Sequence, residues 1–600
     1  MKKLVLASSL LLALPAPSSS APPSLTAAPG FGETVEVNVV NVDVYVTDKQ
    51  GKRATGLKKE DFEVLEDGKP VQITNFEAFE RTAPTPADAM PPPVTPPAAS
   101  SSSPSPAPAA APDPENQLSL VIFLDNLHLR PEHRTRATEQ IRSFLARGAR
   151  PGDRVLLVAN GMDVRTLLPF TEDRAALDAA LRKAESLPAF GAQRDQDRRT
   201  AYSTMMNLYK LWGCSEEMIR PVAAYAEQGK ADALRTVGAL KLTVNSLAGV
   251  PGRKALLYVS DGLSISPGEE LFEAAYSVCS GKAQTVLGIP LPPLERPSSG
   301  EGSVYNPSQA ALDAQQYSVA NQISDLAAHA NANRVTFYTL QASGLQGTAS
   351  ADAGFDSTER LLQTHDIQMI QTTNLRGSLT ALAADTGGRA MLDANDLAPE
   401  LAGMRDDFET YYSLGYTPAH QGDGRMHKVE MKVKRPGLRV RYRQSYRDKP
   451  ALEKVFDRTL AALYHGAEDN PLEITVETGE QAPAAGGQYS VPFHLRIPLF
   501  KLAILNQNDN LYKGKLRVMV AIRDEAGGTS PMRQVEVPLS IPRKQVLNAM
   551  GQYYVYNLTL NMKPGLQHVA VTVRDDIGTT TSYLSRTVAV GSTAAAASGH

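Results

Sequence analysis

The chain has 600 residues and a formal net charge of −3, from 61 basic against 64 acidic side chains, a near balance that argues against a nucleic-acid binder. Its length predicts about three to five domains, and a hydrophobic fraction of 42% supplies their cores. Two cysteines, Cys214 and Cys279, exclude a disulfide-rich scaffold and any multi-cysteine zinc or iron–sulfur site.

Residues 1–21 read as a signal peptide: Lys2 and Lys3 precede an apolar run from Leu4 to Leu14, and small residues lead to an expected cleavage after Ala21. The run is too short to cross a bilayer, so a secreted or periplasmic protein that does not span the membrane is expected. Residues 35–81 form an N-terminal β unit. Val35, Val37 and Val39 alternate, then Val40, Val42, Val44 and Val46 do so out of phase, which predicts a strand with a bulge at Val39–Val40. A hairpin about Asp67-Gly68 is expected to pair Val64 with Val71 and Phe62 with Ile73. Residues 82–116 hold twelve of the 42 prolines among Ala and Ser, the composition of an extended linker.

From 117 to 410 short apolar runs alternate with helical segments, the pattern of an α/β doubly wound, mostly parallel sheet. Strands are predicted at 118–124, 154–159, 254–259, 334–340 and 389–392, and helices at 132–145, 174–187, 310–330, 375–385 and 397–411. Thr171 reads as the N-cap of the helix at 174–187. Two insertions interrupt the repeat, a helical one near 190–250 and a Gly/Pro-rich one near 263–308. The second follows a strand's carboxyl end, where binding loops lie.

Residues 411–446 return to β and are expected to pair with the N-terminal unit, because neither segment has enough strands for its own core. Within 428–443 a hairpin around Pro436-Gly437 would set Val433 opposite Val440 and Met431 opposite Tyr442. It would also oppose Lys434 to Arg439 and Lys432 to Arg441, a solvated basic face or, on a sharper reading, a dock for an anionic envelope surface. A helical connector at 447–470 leads to 471–591, whose seven alternating segments suggest an immunoglobulin-like β-sandwich, and 592–600 is a tail expected to be disordered.

Val42-Asp43-Val44-Tyr45-Val46, Glu60-Asp61-Phe62, Leu65-Glu66-Asp67-Gly68-Lys69-Pro70, Phe123-Leu124-Asp125, Gly252-Arg253-Lys254-Ala255, Ser260-Asp261-Gly262 and Tyr412-Ser413-Leu414-Gly415-Tyr416 stand in that order along the chain. Together these phrases resemble a bacterial, acidobacterial-type family of secreted proteins related to the von Willebrand factor A domain. The resemblance spans roughly 35–446 and implies a von Willebrand factor A-like α/β domain, combined here with all-β domains; it implies no established activity. Such domains commonly hold a hard cation at the strand carboxyl ends through Asp-x-Ser-x-Ser, a Thr and a later Asp. Asp125 and Asp261 match the two aspartates. Leu127 and Leu129 replace the serines, and Phe190-Gly191-Ala192-Gln193 stands where the threonine turn is expected. The site is therefore degenerate, no metal such as Mg²⁺ or Ca²⁺ and no other cofactor is expected, and Asp125 is assigned a structural role accepting backbone N–H groups. The two leucines are expected to pack under the 263–308 insertion.

His128 and His133 stand near Asp125 without a third transition-metal ligand at a convincing spacing. No serine-hydrolase elbow, zinc-protease motif or P-loop is present, so no catalytic residue is assigned. Cys214 and Cys279 both lie in insertions; in an oxidising compartment a disulfide is favoured, with unpaired buried thiols as the alternative, and Trp212 beside them reads as packing. A loop of that length closed by a disulfide stabilises by about 4 kcal/mol in the chain-entropy model. The reading is an exported, non-enzymatic protein-binding or adhesion-type protein. Its partner is a protein or envelope component, contacted through Asp125, Asn126, His128 and Asp261. A structural scaffold of an envelope assembly and a hydrolase remain as alternatives.

Overall fold

A computed structural model describes residues 39–80, 117–148, 152–280, 307–344, 364–508, 510–525 and 527–591. The signal peptide, the first half of the alternating run at 35–46, the 82–116 linker, most of the 263–308 insertion and the 592–600 tail lie outside the described residues. No helix among them is long and apolar enough to cross a membrane.

At the centre is a six-stranded sheet in the order Ala390–Met391, Val335–Gln341, Arg253–Ser260, Leu118–Asp125, Arg154–Asn160 and Val164–Thr171. The first five strands are parallel and the last is antiparallel. Successive side chains of a strand point to opposite faces, and both faces here are covered. Leu120, Ile122 and Leu124 pack with Ile141, Leu181, Leu401 and Met404 from the helices Pro131–Gly148, Arg174–Glu185 and Ala398–Glu409. Val121 and Phe123 face Val237, Leu240, Leu326 and Leu382 from the helices Glu216–Leu247, Ala320–Ala332 and His365–Thr386. That double burial explains why these strands are unbroken apolar runs.

Three local expectations are corrected. The strand Val164–Thr171 was not foreseen, because a half-exposed edge strand containing Pro169 lacks a clean alternation. Thr171 ends that strand, and the cap of the next helix is Asp173, whose side chain accepts from the amides of Ala175 and Ala176. The helix expected at 310–330 is two, Pro307–Gln315 and Ala320–Ala332. Between them Tyr317 stacks on Phe272 and the Val319 amide donates to the Ile265 carbonyl, contacts that a continuous helix would forfeit.

Two further sheets assemble from opposite ends of this region. One has the order Arg439–Arg441, Val40–Thr47, Thr410–Tyr416, Ile73–Glu80, and the other Ser445–Arg447, Met426–Val433, Phe62–Glu66, Lys69–Val71. Val42, Val44, Phe62, Val64, Tyr412, Leu414, Val429 and Met431 form their shared core. Val64 pairs with Val71, but Phe62 pairs with Val433, and Ile73 crosses to the other sheet beside Tyr416. The hairpin about Pro436-Gly437 does not form. Val440 pairs instead with Val46, and Met431 with Val64. With Gly437 at φ 83° the turn has the type II geometry that splays its strands, leaving each free to find a partner in the other sheet. The opposed basic pairs therefore vanish: Arg441 forks onto Asp407 at 2.7 and 2.8 Å, and Arg435 forks onto Asp61.

The C-terminal region has two antiparallel sheets, one centred on Gln488–Pro498 and the other on Leu511–Asp524, with Val491, Phe493, Val518 and Val569 in a common core. The helix Ala451–His465 wedges between this region and the central sheet. Val455, Ala462 and Leu463 join Met519, Ala570 and Tyr583, while Ala461 belongs to the core of the central sheet. Gly249 touches the backbone of Asp457 on this helix so closely that any side chain there would collide with it.

His465 is half-buried at that wedge, edge-on to Phe170 at 5.0 Å between rings, with Arg154 and Arg523 nearby. Burial, with those two cations, lowers its pKa to about 4. A histidine depressed from an ordinary ~6.5 contributes stability that is full above pH 6.5 and is lost as pH falls toward 4, up to about 3 kcal/mol. Urea unfolding of the wild type between pH 7 and 4 should show this loss, and His465→Leu should remove most of the dependence.

Candidate functional site

The carboxyl ends of the central strands carry most of the residues singled out from sequence, but they do not form one accessible face. Asp125 is fully buried and Asn126 is 2% exposed, so neither can touch a partner. The Asp125 carboxylate accepts from His128 Nδ1 at 2.7 Å, Tyr258 Oη at 2.6 Å, Asn160 Nδ2 at 3.1 Å, Ser260 Oγ at 3.2 Å and Thr236 Oγ1 at 3.5 Å. Its donors are side chains, not the backbone amides expected. Burial alone would raise its pKa, yet the His128 ring and the bonds from His128, Tyr258 and Asn160 outweigh burial and hold the carboxyl below its ordinary value. Burial and the adjacent Asp125 push the Tyr258 phenol far upward.

Leu127 and Leu129 are buried, and among the described residues Leu129 packs in the core with Ile122, Leu124 and Ile141; most of the insertion expected to cover it lies outside the described residues. Gly191 closes this turn: its amide donates to the Leu129 carbonyl, and a side chain at 191 would strike the 128–130 backbone. The groups around Asp125 are thus an imidazole, three hydroxyls and an amide, all bonded to its carboxylate, together with hydrocarbon. A hard cation needs several converging oxygens, and this set does not fit one.

Asp261 and His128 do reach the surface of a cleft of about 120 Å³ lined also by Arg130, His133, Arg194, Arg198, Glu270 and Gln371. Asp261 Oδ2 accepts from the Arg130 amide at 2.9 Å and His133 Nδ1 at 2.8 Å, while its Oδ1 is buried without a hydrogen-bond partner. His128 and His133 therefore each serve a carboxylate through Nδ1. Arg194 holds the turn, donating to the Leu127 carbonyl at 2.5 Å and lying 2.6 Å from Asp232. Arg198 donates to Gln371 at 3.1 Å. Burial raises the Glu270 carboxyl, partly offset by Arg198.

The insertions wall this cleft. The helix Gly191–Trp212 and the helix Glu269–Cys279 are joined by the Cys214–Cys279 disulfide, with Cα atoms 5.7 Å apart. Trp212 is 67% exposed beside Leu211 at 72%, so the packing role expected for it is not met: the helix ends there and turns both side chains outward.

A larger cavity, about 470 Å³, escaped sequence reading because it lies at the opposite, amino ends of the strands, where they meet the first pair of β sheets. Its organiser is Arg253, which donates to Asp43 at 3.1 Å and to the Tyr45 hydroxyl at 2.8 Å and lies 3.8 Å from the Tyr411 ring centre. The Gly252-Arg253-Lys254 phrase was the available signal, read as motif without a partner.

No family model and no curated protein matches the sequence. Among solved structures the chain is similar to the Northeast Structural Genomics Consortium target SoR45, at 16% identity over 22% of this chain and 96% of that one, with a TM-score of 0.16. It is also similar to a β-glucuronidase of Bacteroides uniformis, at 10% identity over 32% of this chain and 20% of that enzyme, with a TM-score of 0.13. These similarities assign neither fold nor activity.

Asp125→Ala leaves five donors without their shared acceptor and should cost about 3–5 kcal/mol. Because the folded-state pKa is depressed, the wild-type contribution is present above the unfolded value of ~3.9 and is lost as pH falls through the folded one. Urea midpoints and hydrogen exchange in the strand Leu118–Asp125 measure both effects; a loss under about 1 kcal/mol would contradict the network's role.

Proposed function

We propose that the chain is an exported, non-enzymatic recognition protein built on a von Willebrand factor A-like domain, with a C-terminal immunoglobulin-like sandwich. In this reading its metal-dependent contact has been replaced by a protein-made one. The observation that carries it is the set of five side-chain donors on Asp125, which engage its carboxylate and leave Asp261 and Arg198 among the polar groups that line the cleft. At about 120 Å³ the cleft is smaller than the ~300–1,000 Å³ of small-molecule sites and suits one projecting side chain of a protein or envelope partner. The partly exposed Asp261 carboxylate and the cationic Arg130 and Arg198 favour a side chain with both donor and acceptor atoms.

A second reading, a scaffold of an envelope assembly, is favoured by the disulfide-joined helices that wall the cleft.

Chemical cross-linking in native envelopes, followed by purification of the adduct, distinguishes the two. Recognition through the cleft predicts one dominant partner whose recovery falls at least tenfold with Arg198→Glu or Asp261→Asn in folded protein. Equal recovery with both variants contradicts it and leaves the scaffold.

A further inference from the structure

At the rim of the first pair of β sheets, far in sequence from the cleft just described, two histidines and a set of carboxylates converge. The loop His420-Gln421-Gly422-Asp423-Gly424 leads into the strand Met426–Val433, which carries His427. Among the described residues, His420, Asp423 and His427 are the only three His, Cys, Asp or Glu side chains whose ligand atoms all lie within 4.8 Å of one another. The two imidazoles stack with ring centres 3.8 Å apart and planes 14° from parallel.

Each ring is oriented from behind. His420 Nδ1 donates to Asp448 Oδ2 at 2.8 Å, and His427 Nδ1 donates to Asp67 Oδ2 at 2.9 Å. Asp448 is itself fixed, accepting from the Gly422 amide at 2.6 Å, and Asp67 accepts from the Lys428 amide. This arrangement commits both Nδ1 atoms and turns both Nε2 atoms toward oxygen: His427 Nε2 lies 3.2 Å from Asp423 Oδ1, and His420 Nε2 lies 3.5 Å from Glu66 Oε2. The other oxygen of Glu66 takes the hydroxyls of Tyr416 at 3.0 Å and Tyr446 at 2.5 Å, leaving Oε2 for a further partner. A tetrahedral ion with bonds of ~2.0–2.1 Å separates its ligand atoms by about 3.3 Å. A carboxylate behind each ligating histidine is the usual outer support of a metal site, since it sets the tautomer and the ring's aim.

We propose that His420 Nε2, His427 Nε2 and Asp423 Oδ1 bind a Zn²⁺ ion, with water as the fourth ligand. Two imidazole nitrogens with a carboxylate oxygen suit this borderline ion, which has no redox chemistry to be disturbed in an oxidising compartment. The alternative is a proton shared between His427 and Asp423. In that state the Tyr446 hydroxyl, 3.5 Å from His420 Nε2 and 2.5 Å from Glu66 Oε1, stands between those two groups, and an absence of zinc uptake would favour it. The ion would tie the loop at 420–424 to His427, whose Nδ1 is held by Asp67 of the N-terminal segment, closing one end of a β assembly made from strands about 360 residues apart. The role is a structural staple, not catalysis.

The test uses the untagged full-length protein, stripped with EDTA and titrated with Zn²⁺ against a chromogenic chelator. We expect one equivalent of Zn²⁺ bound and a higher melting temperature on loading. Asp423→Ala, at an exposed loop position, and His420→Ala should lower affinity at least about tenfold; Asp67→Asn, which keeps an oxygen for the Lys428 amide while weakening the support behind His427, should lower it about 10- to 100-fold. His133→Ala, at the remote cleft, should leave uptake unchanged. If His420→Ala fails to fold, Asp423→Ala and Asp67→Asn decide. No stoichiometric uptake, or uptake that survives both Asp423→Ala and Asp67→Asn, overturns the proposal.

Discussion

An ionised carboxylate without solvent contact must find its donors inside the protein, and Asp125 draws them from four different elements. His128 comes from the turn that follows its own strand, Asn160 and the Tyr258–Ser260 pair from the two neighbouring strands, and Thr236 from the long helix of the first insertion. Each donor is useful only if its element sits at the right height, so one buried charge fixes the relative positions of the sheet, the 126–130 turn and the inserted helix. The turn in turn places Arg130 and His133 on Asp261. Truncating such a centre costs far more than the net worth of any one bond, because every donor is left buried and unmatched.

At the other end of the same strands Arg253 has the complementary task. Its guanidinium meets Asp43, Tyr45 and Tyr411, all from the flanking β sheets, so the strand whose carboxyl end supplies Tyr258 and Ser260 is anchored to another region at its amino end. The surrounding charges outweigh burial and keep this arginine firmly protonated. Lys254, one residue on, is pushed far below its ordinary value by burial and by Arg334 and Lys449, which makes it a poor anchor by comparison. The central sheet is thus held at both ends by polar contacts, while its two faces are held by apolar ones.

The sequence made the centre of the fold legible where a single physical rule governed each element. Doubly buried strands are apolar throughout, as at 118–125, and amphipathic helices repeat at 3.6 residues, as at 174–185. It failed where pairing depends on distant partners. Val440 had two apolar strands within reach and took Val46 over Val433, a choice set by the sheet as a whole and not by its neighbours. The resemblance set an expectation of oxygens at Leu127 and Leu129, where the chain has hydrocarbon, but nothing local showed that Thr236 and Tyr258 would converge on Asp125 from 111 and 133 residues away. The His-x2-Asp-x3-His spacing at 420–427 was visible, yet its meaning depends on Asp67, which only the folded sheet brings alongside.

The account turns on whether protein donors have taken the place of a hard cation at the carboxyl end. Calorimetric titration of the folded full-length protein with Mg²⁺ addresses this directly. Saturation of Asp125 by its five donors predicts no stoichiometric binding. One equivalent bound at micromolar affinity, and lost in Asp261→Asn, would contradict it.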